Sequence, residues 1–78
     1  MMRSYEIDIL DEFLNTDCEI RKDLEISATD LYDSYVKWAN KRIPYVMSST
    51  KFGIELKKRF ERVHTKQGNV YLGIGLKL

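Results

Sequence analysis

The sequence contains little cysteine, proline or glycine, and it has no long hydrophobic run. Its single cysteine, Cys18, cannot form an internal disulfide, which excludes the disulfide-stapled mini-proteins of secretory compartments. With one proline, four glycines and 44% hydrophobic content, the sequence is not that of a disordered segment. The most apolar stretch, residues 70–76, is too short to cross a bilayer, and residues 4–8 are too polar for a signal peptide. We therefore expect one small cytoplasmic domain over residues 1–78.

Acidic and basic residues are segregated along the chain, although the net charge is only +1. Residues 1–34 contain ten acids and three bases, whereas residues 35–78 contain ten bases and two acids. Such segregation is informative about partners and long-range fields rather than about fold. If the second half of the chain forms one surface, that surface favours a polyanion such as nucleic acid.

Hydrophobic periodicity predicts two helices in the first half of the chain. The first covers residues 4–16. The second opens at Ser27, which resembles the start of a capping box because Asp30 follows three residues later, and it ends near Asn40. Its apolar face is formed by Leu31, Tyr35, Trp38 and Ala39. Between the two helices, residues 24–27 alternate in polarity and are compatible with a short strand.

The second half predicts a third helix and a β-hairpin. The third helix begins after Ser48 or Ser49, and its narrow apolar stripe consists of Phe52, Leu56, Phe60 and Val63. The opposite face holds Lys51, Ile54 and Lys58, flanked by Glu55 and Lys57. The period then changes to two, which predicts a hairpin that turns at residues 67–69. Its inward side chains would be Val70, Leu72, Ile74 and Leu76, and Tyr71 would point outward.

This order of elements predicts an α+β fold of the winged helix-turn-helix type, with three helices and a C-terminal hairpin as the wing. In helix-turn-helix proteins the second helix of the motif enters the DNA major groove. The third helix and the hairpin are also basic here. We therefore predict a DNA-binding surface formed by Lys51, Lys57, Lys58, Arg62, Lys66, Gln67 and Asn69. Ile54 would either contact a thymine methyl group or pack under the wing.

The chain carries a set of aromatic, aliphatic and glycine positions: Leu31-Tyr32, Tyr35, Trp38, Phe52-Gly53, Leu56, Tyr71, Gly73-Ile74 and Leu76. This set resembles the C-terminal domain of phage- and plasmid-type primase–helicases, a family that includes the poxvirus primase–helicase. The resemblance extends over almost the entire chain and implies a winged-helix domain that follows a superfamily III ATPase in a protein that starts replication of a mobile element. Residues 1–78 lack the phosphate-binding loop of such ATPases, so the catalytic domains would precede Met1. The chain would then be either an excised domain or a short reading frame of its own.

The remaining residues do not assemble a catalytic or metal site. A zinc site needs more ligands than Cys18 and His64 provide, and the acids at positions 8, 11 and 12 fit a solvated helix face. Aromatic residues at helical spacing predict core positions for Tyr35 and Trp38 rather than a base-stacking platform. We therefore expect a non-catalytic domain with no cofactor, no small-molecule substrate and no membrane partner.

The expected partners are DNA, in the first place duplex DNA, and other domains or subunits of the parent protein. Two alternatives share the fold. One is a protein–protein docking module of the same replication protein, and the other is a small DNA-binding regulator. Single-stranded DNA is also compatible with the sequence.

Overall fold

The computed structural model describes residues 5–42 and 46–77. The elements are α1 (Tyr5–Asp17), β1 (Cys18–Ser27), α2 (Ala28–Asn40), α3 (Ser49–Lys57), β2 (Arg62–Thr65) and β3 (Gly68–Leu76). The strands form an antiparallel sheet in the order β1-β3-β2, so β3 is central. The predicted α+β class, the three helices and the C-terminal hairpin are confirmed. None of the described helices is long and apolar enough to cross a membrane.

The start of each of the two later helices is fixed by a serine. Ser27 accepts a hydrogen bond from the backbone N–H of Asp30 at 3.0 Å, and α2 ends at Asn40 as predicted. Ser48 accepts one from the backbone N–H of Lys51 at 3.2 Å, which selects Ser48 from the two predicted N-caps of α3. These bonds satisfy N–H groups that have no partner inside a helix. The predicted N-cap of α1, Ser4, lies outside the described residues.

The third helix is shorter than its apolar stripe suggests. It ends at Lys57, and the backbone N–H groups of Arg59 and Phe60 both bond to the carbonyl of Leu56. Phe60 therefore lies in the turn after the helix, where it packs against the core, and Val63 lies in β2. A stripe at helical spacing in the sequence is thus divided between a helix, a turn and a strand.

The first strand is longer than predicted, because it covers all of residues 18–27. It pairs with β3 from Cys18 opposite Leu76 to Ser27 opposite Val70. The register shifts between Ile20 and Glu25, which leaves four residues of β1 opposite one residue of β3. Most side chains in the middle of β1 are exposed, so their polarity does not alternate between core and solvent.

The central strand changes its phase at Gly73. Tyr71 and Ile74 are both buried, at 1% and 0% exposure, although residues three apart in a regular strand point to opposite faces. Gly73 lies between them, opposite the β1 irregularity, with a φ of +84° that favours glycine. The prediction that Ile74 points inward is confirmed and the prediction that Tyr71 points outward is wrong. Val70 and Leu72, also predicted to be inward, are only half-buried.

The core lies between the helices and one face of the sheet. It contains the predicted residues Leu31, Trp38, Phe52 and Leu56 in one cluster. Its centre is aromatic, because Tyr35 stacks on Phe52 with ring centroids 4.9 Å apart. Two tyrosines of α2 also hold the chain before α3: the backbone N–H of Met47 donates to Tyr35 Oη at 3.0 Å, and Tyr32 Oη donates to the Met47 carbonyl at 2.7 Å. The two hydrogen bonds therefore fix the part of the α2–α3 connection that directly precedes α3. Pro44, which was expected to prevent α2 from continuing, lies outside the described residues.

Candidate nucleic-acid interface

One face of α3 is turned to solvent. Phe52 and Leu56 are buried and attach the helix to the core. Ile54, between them in sequence, is 50% exposed and is therefore available on the surface rather than covered by the hairpin. Lys57 in the last turn is also exposed, and Lys51 is half-buried. The outer side of α3 thus combines an apolar side chain with cationic ones.

Glu55 is an unexpected member of the core side of α3. The sequence places it at the flank of the solvated face, but it is only 5% exposed. Lys58, directly after the helix, donates to Glu55 Oε2 at 3.2 Å, so the buried carboxylate keeps a cationic partner. The sequence placed Glu55 only at the flank of the polar face of α3, and its burial was not predicted. Lys58 was predicted to bind phosphate, but in the structure its ammonium group forms an ion pair with Glu55.

The hairpin turns one residue earlier than predicted. Thr65 pairs with Gly68, so Lys66 and Gln67 alone form the turn, and Gly68 has a φ of +114°. Thr65 Oγ1 donates to the carbonyl of Gly68 at 2.8 Å and accepts from the N–H of Gln67 at 3.2 Å, which holds the turn. Lys66 and Gln67 are consequently exposed at the tip.

Asn69 belongs to the strand rather than to the turn. It pairs with His64 across the hairpin, and its Oδ1 lies 3.2 Å from His64 Nδ1. Both side chains are exposed.

The pair two positions further along the hairpin, on the same face, brings the hairpin against α3. Arg62 lies opposite Tyr71, so their side chains share a face with those of His64 and Asn69. A Cβ atom added to Gly53 of α3 would lie 3.5 Å from Arg62 Nη1 and 3.7 Å from Tyr71 Oη. The hairpin therefore approaches α3 at its glycine, a contact that sequence reasoning missed. Gly53 by itself does not indicate this approach, because a Cβ at its position would make only ordinary contacts, and no local pattern in the sequence predicts the contact.

A cleft of about 440 Å³ lies where α2, α3 and the hairpin meet. Its walls include Thr29 in the first turn of α2 and Ser49 at the start of α3. They also include the charged side chains of Asp33 and Arg62 and the amide of Asn69. Its aromatic lining is formed by Tyr32, Phe52 and Tyr71. The cleft thus brings two of the predicted DNA-binding residues, Arg62 and Asn69, to one place, and adds Asp33, which the sequence did not single out.

The segment from α3 through the hairpin keeps an excess of unpaired bases after the bases that form ion pairs within the protein are set aside. Residues 49–71 contain six bases and two acids. Lys58 is paired with Glu55, and Arg59 forms an ion pair with Asp11 of α1. Lys57, Arg62 and Lys66 form no ion pair with any residue in the described part of the chain. Within this segment, these three cations therefore have no internal ion pair to lose when a ligand binds.

Several acids of the first half are held in local pairs. Arg21 bonds to Glu19 at 2.8 Å and to Asp23 at 3.0 Å within the irregular part of β1. The hydrogen bond from Arg21 lowers the pKa of the Asp23 carboxyl, and the same bond raises the pKa of Arg21. Asp11 is also paired, with Arg59 of the basic half, whereas Glu12 beside it is exposed. Asp8, the third acid of that group, has a side chain outside the described set.

Cysteine and histidine do not meet in this fold. Cys18 is buried, and burial, reinforced by the charge of Asp17, raises the pKa of its thiol to about 12. Cys18 is therefore a small side chain of the core, and its thiol keeps its proton at neutral pH. His64 is exposed on the hairpin. Among the described residues, no group of three or more His, Cys, Asp or Glu side chains could hold a metal ion.

Comparison of the sequence with protein-family models found no match, and a search of curated proteins likewise found none.

Proposed function

We propose that this domain is a winged helix-turn-helix domain that binds duplex DNA through α3 and the β2–β3 hairpin. In this proposal α2 and α3 form the helix-turn-helix, and the hairpin that carries Lys66 at its tip forms the wing. The sheet supports it, because β1, which links α1 to α2, pairs with β3 of the hairpin, and the hairpin lies against α3 at Gly53.

The observation that carries the proposal is that three unpaired cations lie together on one segment, although Lys22, Lys37 and Lys41 elsewhere also form no ion pair among the described residues. Lys57, Arg62 and Lys66 have no ion-pair partner among residues 5–42 and 46–77, and all three lie on the segment from α3 to the hairpin tip. Cations without an internal partner are free to displace the counterions of a phosphate backbone, which is the main source of affinity for DNA. The domain itself would have no catalytic role.

The resemblance to primase–helicases supports a narrower proposal about context. The domain would hold origin DNA beside the ATPase of a phage- or plasmid-type replication protein. Other parts of that protein would supply the primase and helicase reactions.

The test is a fluorescence-anisotropy titration of a short duplex at several salt concentrations. With about four phosphate contacts, the slope of log affinity against log salt should be roughly −4. Lys57→Ala and Lys66→Ala should each make the slope shallower by about one unit. Lys37→Ala, an exposed lysine in the last turn of α2, is the matched control and should leave the slope unchanged.

Lys58 is not a clean probe, because its removal would leave Glu55 buried without its partner. Absence of binding at low salt, or slopes that Lys57→Ala and Lys66→Ala leave unchanged, would contradict the proposal. The domain would then be better explained as a protein-docking module that uses exposed Ile54.

A further inference from the structure

We propose that the cleft between α2, α3 and the hairpin binds one unpaired guanine base of the DNA. The inference rests on the proposed DNA binding and adds to it a site for a base outside the duplex. The cleft volume of about 440 Å³ falls within the range of roughly 300–1,000 Å³ that is usual for small-molecule sites.

The first argument is the unpaired polar lining. Asp33 and Arg62 carry opposite charges and line the same cleft, yet they form no ion pair with each other. Neither side chain has a hydrogen-bond partner in the described part of the chain. Tyr71 is 1% exposed, and its hydroxyl, which faces the cleft, also has no hydrogen-bond partner there. Asp33 is exposed and Arg62 is half-buried, so both charged groups are open to a ligand that supplies donors to the carboxylate and acceptors to the guanidinium.

The second argument is Gly53. Glycine inside a helix is unfavourable relative to alanine. A Cβ at this position would meet Arg62 and Tyr71 only at ordinary contact distances of 3.5 and 3.7 Å. Packing within the domain therefore does not require glycine here. A ligand that approaches the backbone of α3 from the cleft does, because a methyl group would occupy its place.

The third argument selects the ligand. A guanidinium pairs bidentately with guanine O6 and N7, which lie side by side on one edge of the base. A carboxylate accepts hydrogen bonds and matches the adjacent N1–H and N2–H donors on another edge. Adenine and cytosine each present an acceptor beside their amino group, and that acceptor would face the carboxylate unfavourably. Phe52 and Tyr71 are buried, so half-buried Tyr32 is the aromatic side chain of the lining against which the base can pack.

The experiment uses duplexes with a five-thymine overhang in which one thymine is replaced, in turn, by guanine, adenine or cytosine. Guanine at one position should raise affinity roughly 5- to 100-fold over the other bases. Replacing that guanine by 7-deazaguanine, which lacks N7, or by hypoxanthine, which lacks the N2 amino group, should remove most of the gain.

Two protein variants test which side chain contacts which edge of the guanine. With Arg62→Gln, guanine and 7-deazaguanine should bind equally, whereas with Asp33→Asn, guanine and hypoxanthine should bind equally. Gly53→Ala should reduce the guanine preference while the domain stays folded. Lys66→Ala is the control, because it should weaken all overhangs by the same factor.

The outcomes separate this inference from the proposed function. If the duplex binds with the expected salt slope but all four bases bind equally, the guanine site is wrong and DNA binding stands. If guanine is preferred but Asp33→Asn and Arg62→Gln leave the preference intact, the cleft is not its site. If no DNA binds, both proposals fail.

Discussion

Gly53 and Gly73 have opposite roles, although each lies inside a regular element. Gly73 adopts a φ of +84° that reverses the phase of β3 and brings both Tyr71 and Ile74 into the core. Gly53 has no positive φ, and its effect is to leave space beside Arg62 and Tyr71. The same substitution at the two positions therefore tests two different physical causes.

We predict that Gly73→Ala destabilises the domain and Gly53→Ala stabilises it. No atom lies within 4 Å of a Cβ at Gly73, so its cost is the backbone conformation alone, about 1–2 kcal/mol. At Gly53 the helix gains up to about 1 kcal/mol, because alanine is the better helix former and the new contacts are not clashes. Urea denaturation of both variants measures these changes. Equal signs would contradict the structural distinction between the two glycines.

We predict that Cys18 makes the stability fall at alkaline pH. Burial raises the pKa of its thiol from 9.0 to about 12, so the folded state keeps a proton that the unfolded state loses. The resulting stabilisation is fully present below pH 9 and is lost between pH 9 and 12, at up to about 1.4 kcal/mol per pH unit. Cys18→Ala removes this dependence. The difference in free energy of unfolding between the two proteins should therefore shrink as the pH rises, and a constant difference would exclude the buried thiol as its cause.

Each later helix is positioned at its first turn by one hydroxyl, and α2 offers the cleaner test. Ser27 ends β1 and caps α2, so it joins the sheet to the helix that carries most of the aromatic core. We predict that Ser27→Ala lowers the free energy of unfolding by about 1 kcal/mol, since the N–H of Asp30 loses its acceptor. Thr29→Ala, an exposed position in the same turn, should change it by less than about 0.5 kcal/mol. Thermal unfolding of the three proteins gives the comparison, and equal losses would contradict the cap.

The segregated charges of the chain become separate elements in the folded molecule. Most acids belong to α1, β1 and the start of α2, whereas α3 and the hairpin are basic. Two acids of the first half nevertheless lie close to the basic half. Asp11 forms an ion pair with Arg59, and Asp33 lines the same cleft as Arg62. Some acids therefore lie close to the proposed interface and others do not. A charge reversal is expected to change DNA affinity only at an acid of the first kind.

We predict that Glu12→Lys changes duplex affinity by less than about twofold at roughly 0.15 M salt, where charges beyond about 8 Å are screened. Glu12 is exposed on α1, and none of the described side chains of that helix lines the cleft. Glu61→Lys, the same reversal between α3 and β2, should raise the affinity several-fold because it adds a cation to the proposed interface. Anisotropy titrations compare the two variants. A larger gain for Glu12→Lys would place α1 next to the bound phosphates and overturn the orientation.

Local signals predicted much of the element order correctly. The hydroxyls at Ser27 and Ser48 act within three residues of themselves, so the starts of α2 and α3 could be predicted without knowledge of the fold. The apolar face of α2 and the alternation after residue 62 are likewise properties of neighbouring positions. Seven surface residues could also be proposed as a group, because their charge and their adjacent elements are visible in the sequence. Whether they bind DNA stays a prediction.

The remaining features depend on contacts between residues that are distant in sequence. The length of β1 follows from its pairing with β3 more than forty residues away, and its exposed side chains give no alternating pattern. The inward position of Tyr71 depends on how β3 adjusts at Gly73 to that irregular partner, and the burial of Glu55 depends on where α3 ends and Lys58 turns back. The cleft joins α2, α3 and the hairpin, so Asp33 and Arg62 become neighbours only after the chain has folded. Periodicity and capping reflect interactions between residues that are close in sequence. Strand register, burial and clefts depend on packing between elements that are distant in sequence, so no local pattern predicts them.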